Sequence, residues 1–269
     1  MKAKKILIGV GASLLVLGGA AYGTCKIFGN RNAYIMNSAV MDGMEQVMKN
    51  YKVRQLNAGE FENLRFYGIM KFHTDQYHIE DLGNLSVMTA DMGFMQMVSF
   101  VITPFEKNMP VCSMDFMYIF GTRKSYVEFY DLVGDTQTEE YKNVIKQLEE
   151  VKTKYSDLTE IETKDTWYNS LLSVAMHKEI SGDDADSTNS ELFLDVLTAY
   201  LDASKALPVS SAEDQAEQLK NTQAYCYGLI TNGGVSTDVF KKLLGEEKTT
   251  DFFNKVFFGT MNYRNGLLP

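Results

Sequence analysis

The amino-acid sequence predicts an α/β fold: a three-layer α/β/α sandwich with a central, mostly antiparallel sheet and helices on both faces. Three observations support this prediction. The first half of the chain carries repeated strand-like apolar runs, the second half carries apolar residues at helical spacing, and the connections between the runs are short. Short connections indicate antiparallel neighbours, because a parallel pair needs a crossover of a dozen or more residues. A composition that is 45% hydrophobic is typical of a globular protein.

The strand-like runs follow one short helix, which is expected at residues 33–51. Glycine, proline and asparagine signals separate the runs and mark the turns between them. The expected strands cover residues 64–72, 85–90, 94–103, 111–120 and 125–133. Methionines crowd this region, and they are either core filler or an adaptable wall around a large flat ligand.

Helical periodicity begins at residue 139. In residues 139–155 an apolar stripe recurs every three or four positions and charged residues fill the rest. Further helices are expected at residues 190–205, 212–230, 237–244 and 249–257. The acidic stretch 181–188 is expected to be a surface loop.

The N-terminus differs in kind from the rest of the chain. Three lysines precede residues 6–23, an apolar and uncharged run whose length lies between that of a signal peptide and a membrane-spanning helix. No clean cleavage site follows it. The sequence therefore predicts that residues 1–31 anchor the protein in a membrane, with a cleaved signal as the alternative, and that residues 32–269 form a single domain.

The charge distribution limits the possible partners. Residues 1–31 hold five of the 26 basic residues and no acid, so the remaining chain has 21 basic against 35 acidic residues, a formal charge of −14. This charge argues against a nucleic-acid partner. The N-terminal lysines favour an extracytoplasmic domain, although Lys26 and Arg31 weaken that bias. The three cysteines are too widely spaced for a disulfide framework.

Asp115 is an acidic residue in the middle of an otherwise apolar predicted strand. Strand alternation places it on one face with Val111, Ser113 and Met117, and neither face of the strand is polar. Burial raises the pKa of a carboxyl group, so Asp115 is a candidate proton donor near neutral pH. The alternative is a structural aspartate whose oxygens accept hydrogen bonds from backbone amides.

Other polar motifs are weaker. If residues 72–79 form one strand, His73 and His78 point to opposite faces, so no shared metal site is expected. His177 stands alone in the sequence. The glycines that precede Ser236 and Thr237 open a helix whose N-terminus could bind an anion, although ordinary capping by Ser236 or Thr237 is the far more common explanation.

Two separated blocks of the chain resemble the ferredoxin-dependent bilin reductases. In the first, residues 94–104 end in proline, residues 109–115 run Met-Pro-Val-Cys-Ser-Met-Asp, and residues 125–133 end in Asp-Leu-Val. The second, residues 239–258, is similar to the pair of helices that closes that family's fold. The resemblance covers about residues 60–259 and implies an open-chain tetrapyrrole bound between the sheet and the C-terminal helices.

The resemblance also implies roles for particular residues. Asp115 matches the family's catalytic aspartate, which donates a proton to the bilin while electrons arrive singly from ferredoxin. A neighbouring strand position that is His or Asn in the family falls on Val98, and a Glu position of one subfamily falls on Ser86. The family's second aspartate lies in the loop before the penultimate helix, and its position falls on Gly233 and Gly234, with Asn232 nearby. The predicted substrate-binding positions are therefore Ser86, Val98, Asn232, Gly233 and Gly234.

The sequence thus predicts a membrane-anchored tetrapyrrole reductase with Asp115 as its proton donor. The resemblance implies no bound cofactor and an external electron donor such as ferredoxin or a flavodoxin-like protein. The alternative is a non-catalytic tetrapyrrole-binding or carrier protein on the same fold. A third possibility is an interaction domain without a ligand.

Overall fold

The computed structural model describes residues 28–264, which form one large antiparallel sheet covered by helices on both faces. Its strands are β1 Val53–Leu56, β2 Asn63–Phe66, β3 Met70–Ile79, β4 Gly83–Asp91, β5 Met95–Pro104, β6 Val111–Ile119, β7 Thr122–Tyr130, β8 Thr159–Glu160 and β9 Leu172–Ile180. They hydrogen-bond in the order β1-β3-β4-β5-β6-β7-β9-β8, and β2 pairs with β3. Successive strands pair because short connections join them.

Helices cover the two faces separately. Helix α1 comprises residues 28–50. The others are α2 Glu139–Lys154, α3 Ala185–Lys205, α4 Ala212–Thr231, α5 Val235–Leu244, α6 Glu246–Phe252 and α7 Thr260–Arg264. Helices α1, α2 and α3 pack on one face in a core that includes Val144 and Leu197. Helices α4, α5 and α6 pack on the other through residues such as Phe240 and Phe252. The predicted α/β/α sandwich is confirmed.

Strand β6, which carries Asp115, has one closed face and one open face. Its even-numbered side chains from Cys112 to Tyr118 are buried in the core formed with α2 and α3. Apart from the buried Val111, its odd-numbered side chains are only partly buried. The alternation follows the two-residue period of a strand. The second face is therefore less covered than the apolar sequence suggests, because a cavity lies above it.

Three regions differ from the sequence prediction. Residues 64–72 are not one strand, because β2 ends at Phe66 and β3 begins at Met70 after a turn. Strands β8 and β9 extend the sheet within the half that was expected to be helical. Helix α3 begins at Ala185, inside the expected loop 181–188. The two histidines of β3 do point to opposite faces, and His78 contacts Glu106 while His73 contacts Asp75.

The predicted membrane segment, residues 6–23, lies outside the described residues. None of the helices within residues 28–264 combines the length and the apolar character that a bilayer crossing requires.

Candidate active site

A cavity of about 370 Å³ lies between the open face of the sheet and the C-terminal helices. Strands β5, β6, β7 and β9 form its floor, and α4, α5 and the π-helical turn Phe253–Phe257 form its roof. The connection between β8 and β9 forms its rim. This volume lies within the range of small-molecule sites. The polar side chains of the floor are Ser113, Asp115, Tyr126, Glu128 and His177.

The floor is organised by the register of four neighbouring strands. Ser99 of β5 pairs with Asp115 of β6, Asp115 pairs with Tyr126 of β7, and Tyr126 pairs with His177 of β9. Directly paired residues of antiparallel strands point to the same face of the sheet. The four polar side chains therefore form one row across the floor, although they are distant in the sequence.

Asp115 is an inner member of this row, and burial disfavours the charged form of its carboxyl group. Burial raises its pKa from the ordinary value of 3.8 to about 6, the hydroxyl of Ser99 opposes that rise by donating to Oδ1, and the nearby carboxylate of Glu128 adds to it. A carboxyl group with a pKa near 6 carries its proton for a substantial part of the time near neutral pH. This is the property that a general acid requires.

Glu128 provides a second carboxyl group on the floor. Its Oε1 lies 2.9 Å from Nε2 of His177, and its Oε2 accepts a hydrogen bond from the hydroxyl of Tyr130. Burial raises the pKa of Tyr130 well above its ordinary value, so the phenol keeps its proton and remains a donor. The carboxylate of Glu128 is thus held in place on both sides, one diagonal step from Asp115.

Aromatic rings form the wall of the cavity beneath α4. The rings of Tyr130 and Tyr225 lie 4.9 Å apart, and Tyr168 contacts both of them edge to face or nearly so. Trp167 packs against Tyr225 and donates a hydrogen bond of 2.8 Å from Nε1 to the carbonyl of Gly233. These contacts fix the β8–β9 connection against the loop between α4 and α5. Such a wall suits a flat conjugated ligand.

The loop between α4 and α5 contains three of the predicted binding positions. Gly234 lines the cavity beside Val235. Gly233 adopts φ of +87° and contributes the carbonyl that Trp167 binds, so it lies behind the rim. Asn232 is the exposed C-cap of α4 and is separate from the cavity lining.

The remaining two predicted positions lie away from the cavity. Val98 pairs with Phe116 and points to the opposite face of the sheet, into the core beneath α3. Ser86 is on the same face as Asp115 but two strands away, where it pairs with Val101 and is fully buried. Its hydroxyl finds no hydrogen-bond partner among the described residues. The structure thus brings Asp115 and Gly234 to one cavity and leaves Val98 and Ser86 outside it.

Sequence reasoning missed Ser99, Glu128 and His177. The last of these could have been found, because the alternation of Leu172–Ile180 resembles that of the recognised strands and would have placed His177 on an open face. The pairing of His177 with Glu128 depends on β9 joining β7 at the sheet edge. The sequence contains no local signal for that neighbour relation.

Known proteins supply an independent comparison. The fold matches a crystal structure of phytochromobilin synthase from tomato in complex with biliverdin, with 15% sequence identity, a TM-score of 0.70 and coverage of 84% of this chain and 83% of that one. No curated protein sequence is similar enough to match the chain. The family model described as ferredoxin-dependent bilin reductase matches residues 46–259. That match covers well over half of the 269 residues, so the chain belongs to the ferredoxin-dependent bilin reductase family.

Proposed function

We propose that the protein reduces a linear tetrapyrrole by accepting single electrons from an external ferredoxin or flavodoxin-like donor. The observation that carries this proposal is the position of Asp115 within a family-matched fold. Its carboxyl group, whose pKa is raised by burial to about 6, lies on the floor of a cavity of ligand size. The electrons come from the donor protein, so the chain needs no bound cofactor in this proposal.

Asp115 acts as the proton donor. Reducing one double bond consumes two electrons and two protons, and each electron adds negative charge to the tetrapyrrole that a nearby acid can neutralise. General acid help is worth about 10²–10⁴-fold in rate. Ser99 directs the carboxyl group by donating to Oδ1, and the other oxygen remains available to the ligand.

His177 is the candidate source of the second proton. It is in contact with Glu128, and both line the same cavity as Asp115. The carboxylate of Glu128 orients the imidazole through this contact, which is a common way of positioning a catalytic histidine. Two separate acid groups, in the row of paired side chains that crosses the cavity floor, match the two protons that the reaction consumes.

The remaining lining residues suit the ligand. The tyrosine wall offers ring faces to a conjugated system, while Met97 and Met117 of the floor can adapt to its outline. Linear tetrapyrroles of the bilin type carry propionate groups. Lys164 on the rim is the lining side chain that would pair with one of them.

The test uses the full chain with biliverdin under anaerobic conditions. Binding should change the visible spectrum, and adding reduced ferredoxin should bleach the bound pigment. The Asp115→Asn variant should bind with a similar spectrum but bleach about 10²-fold or more slowly. The matched control is Asp157→Asn, whose side chain is exposed in the turn after α2 and does not line the cavity. Bleaching that is equally fast in both variants would remove Asp115 from the mechanism.

The same experiment separates the alternative functions. A protein that binds biliverdin but does not bleach it with any strong one-electron donor is a tetrapyrrole carrier that kept the cavity without the chemistry. A spectrum that does not change on adding biliverdin contradicts both tetrapyrrole functions and leaves an interaction domain.

Membrane attachment through residues 6–23 is part of the proposal. Its support is the uncharged apolar run behind three lysines. The full chain should remain with membranes after alkaline extraction, and a C-terminal reporter would establish the side. The lysines favour the extracytoplasmic side. A cytoplasmic reporter signal would contradict that orientation and allow a cytoplasmic ferredoxin as the donor.

A further inference from the structure

Three hairpins end at the same end of the sheet, and each of them exposes a large apolar side chain. The turns join β2 to β3, β4 to β5, and β6 to β7. Tyr67 is 80% exposed and Ile69 67% exposed on the first turn, Phe94 is 53% exposed on the second, and Phe120 is 39% exposed on the third. We call these four side chains the hairpin-end surface. Single exposed apolar residues are ordinary, but one on every turn of one end is not.

Two of these aromatic residues occupy an unfavourable backbone conformation. Tyr67 has φ of +53° and Phe120 has φ of +50°, in the left-handed region that glycine, asparagine and aspartate tolerate best. At the opposite end of the sheet, the turn between β3 and β4 meets the same requirement with Asp81, at φ of +62°. Tight turns do not need aromatic residues at such positions. Because Tyr67 is also 80% exposed, its position points to a contact made outside the chain.

The spacing of the three turns suits a flat partner. Neighbouring strands lie about 4.8 Å apart, so successive hairpin ends are about 10 Å apart and the row spans about 20 Å. At the opposite end, the turn between β3 and β4 exposes Glu80 instead. Among the hairpin turns of residues 28–264, those at this end are the ones that expose large apolar side chains.

We propose that the hairpin-end surface lies in the headgroup region of a lipid bilayer. Aromatic and aliphatic side chains are the residues that enter that region. Helix α1 begins at this same end, where the ring of Phe28 packs on Phe120 at 5.9 Å and Asn32 donates to the carbonyl of Phe120. The sequence that leads into α1 contains the apolar run 6–23. A chain that enters a membrane through that run would bring these turns to the lipid.

The charges around this end indicate which class of lipid the hairpin-end surface contacts. Lys124 is paired with Glu179 at 3.0 Å, and Lys71 lies 3.9 Å from Asp91. The neighbouring connection between β9 and α3 is acidic. Arg65 is exposed beside the first turn, but the acidic residues of the β9–α3 connection offset its charge. Because the surface has no net excess of positive charge for anionic headgroups, the partner is a zwitterionic bilayer held through apolar contact.

The test measures depth in the full chain, reconstituted into phosphatidylcholine vesicles that contain lipids with a quencher in the upper acyl chain. In a Cys25→Ser background, single Tyr67→Cys or Phe94→Cys variants carry an environment-sensitive fluorophore, since Cys112 and Cys226 are buried and unreactive. The controls are Met48→Cys and Val209→Cys, two exposed sites at the opposite end. Hydrogen exchange of the unlabelled chain provides a readout without the fluorophore.

Labels at 67 and 94 should be strongly quenched, because side chains of interfacial segments reach roughly 5–10 Å into the headgroup–acyl boundary. Labels at 48 and 209 should not be, and amides of the three turns should exchange more slowly in vesicles. Equal quenching of the labels at all four sites would overturn the proposal. Turns whose amides gain protection only when ferredoxin is added would also overturn it, because that result would show a protein-docking surface. The biliverdin spectrum of each variant distinguishes this outcome from failure of the proposed reductase activity.

Discussion

Replacing Asp115 by asparagine should stabilise the protein at neutral pH and change its stability less at acidic pH. Burial raises the pKa of this carboxyl group from 3.8 to about 6 in the folded protein. The folded state therefore holds the proton more tightly than the unfolded state. The resulting contribution to stability is complete below pH 3.8 and is lost as the pH rises through 6. Asparagine has a similar shape and does not ionise, so the variant does not lose this contribution to stability as the pH rises.

The size of the effect follows from the two pKa values. A tenfold change in proton affinity is worth about 1.4 kcal/mol, so the full difference between 3.8 and about 6 corresponds to about 3 kcal/mol. Roughly 2 kcal/mol of this falls between pH 4.5 and 7.5. Since the carboxyl group still reaches the cavity, solvent screening makes these figures upper values.

Urea unfolding followed by circular dichroism at several pH values measures this difference. The free energy of unfolding of Asp115→Asn minus that of the wild type should rise between pH 4.5 and 7.5. The exposed Asp157→Asn variant should show no such rise. A difference that is flat across this range would mean that Asp115 titrates like an exposed carboxyl group, and the argument for a proton donor would lose its electrostatic basis.

Two further substitutions test the electrostatics and the wall of the cavity. Glu128→Gln removes a negative charge that helps to raise the pKa of Asp115. The pH at the midpoint of the decline in the biliverdin bleaching rate should therefore be lower in this variant. A midpoint pH equal to that of the wild type would show that the two carboxyl groups do not interact. Gly228→Ala would place a Cβ 2.3 Å from the ring of Trp167 and should cost about 1–3 kcal/mol in urea unfolding. Because Trp167 is the only tryptophan, its fluorescence should also change, whereas Gly121→Ala, with open space around its Cβ, should alter neither.

The sequence was sufficient for elements whose periodicity is local. The stripe of Tyr141, Val144 and Leu148 predicted α2, and all three side chains are buried. The alternation of β6 correctly separated the face of Asp115 from the core face. The hairpin of β2 and β3 was missed because its apolar residues continue across the turn. Gly68 does mark the turn, but Tyr67 stands before it where asparagine or aspartate is the usual signal. Strand β9 was missed although its residues alternate regularly, because it lies in the half of the chain that was expected to be helical.

The site depends on which strands are neighbours and on the register in which they pair, and the sequence of a single strand determines neither. A shift of one residue in antiparallel pairing moves every side chain to the other face. The resemblance placed the polar neighbour of Asp115 at Val98, yet the register of β5 and β6 pairs Asp115 with Ser99 and turns Val98 into the opposite core. The polar neighbour of Asp115 on β5 is therefore Ser99, one position from the residue that the resemblance indicated.

The proposed acid chemistry does not require the helper residues that the family resemblance implies. Ser99 donates a hydrogen bond to Asp115, and in the proposed function Glu128 and His177 supply charge and a second acid from the other side of β6. The His177→Gln variant removes the imidazole and keeps Asp115, so it should bleach biliverdin more slowly but still bind it. An unchanged bleaching rate would mean that Asp115 and solvent supply both protons.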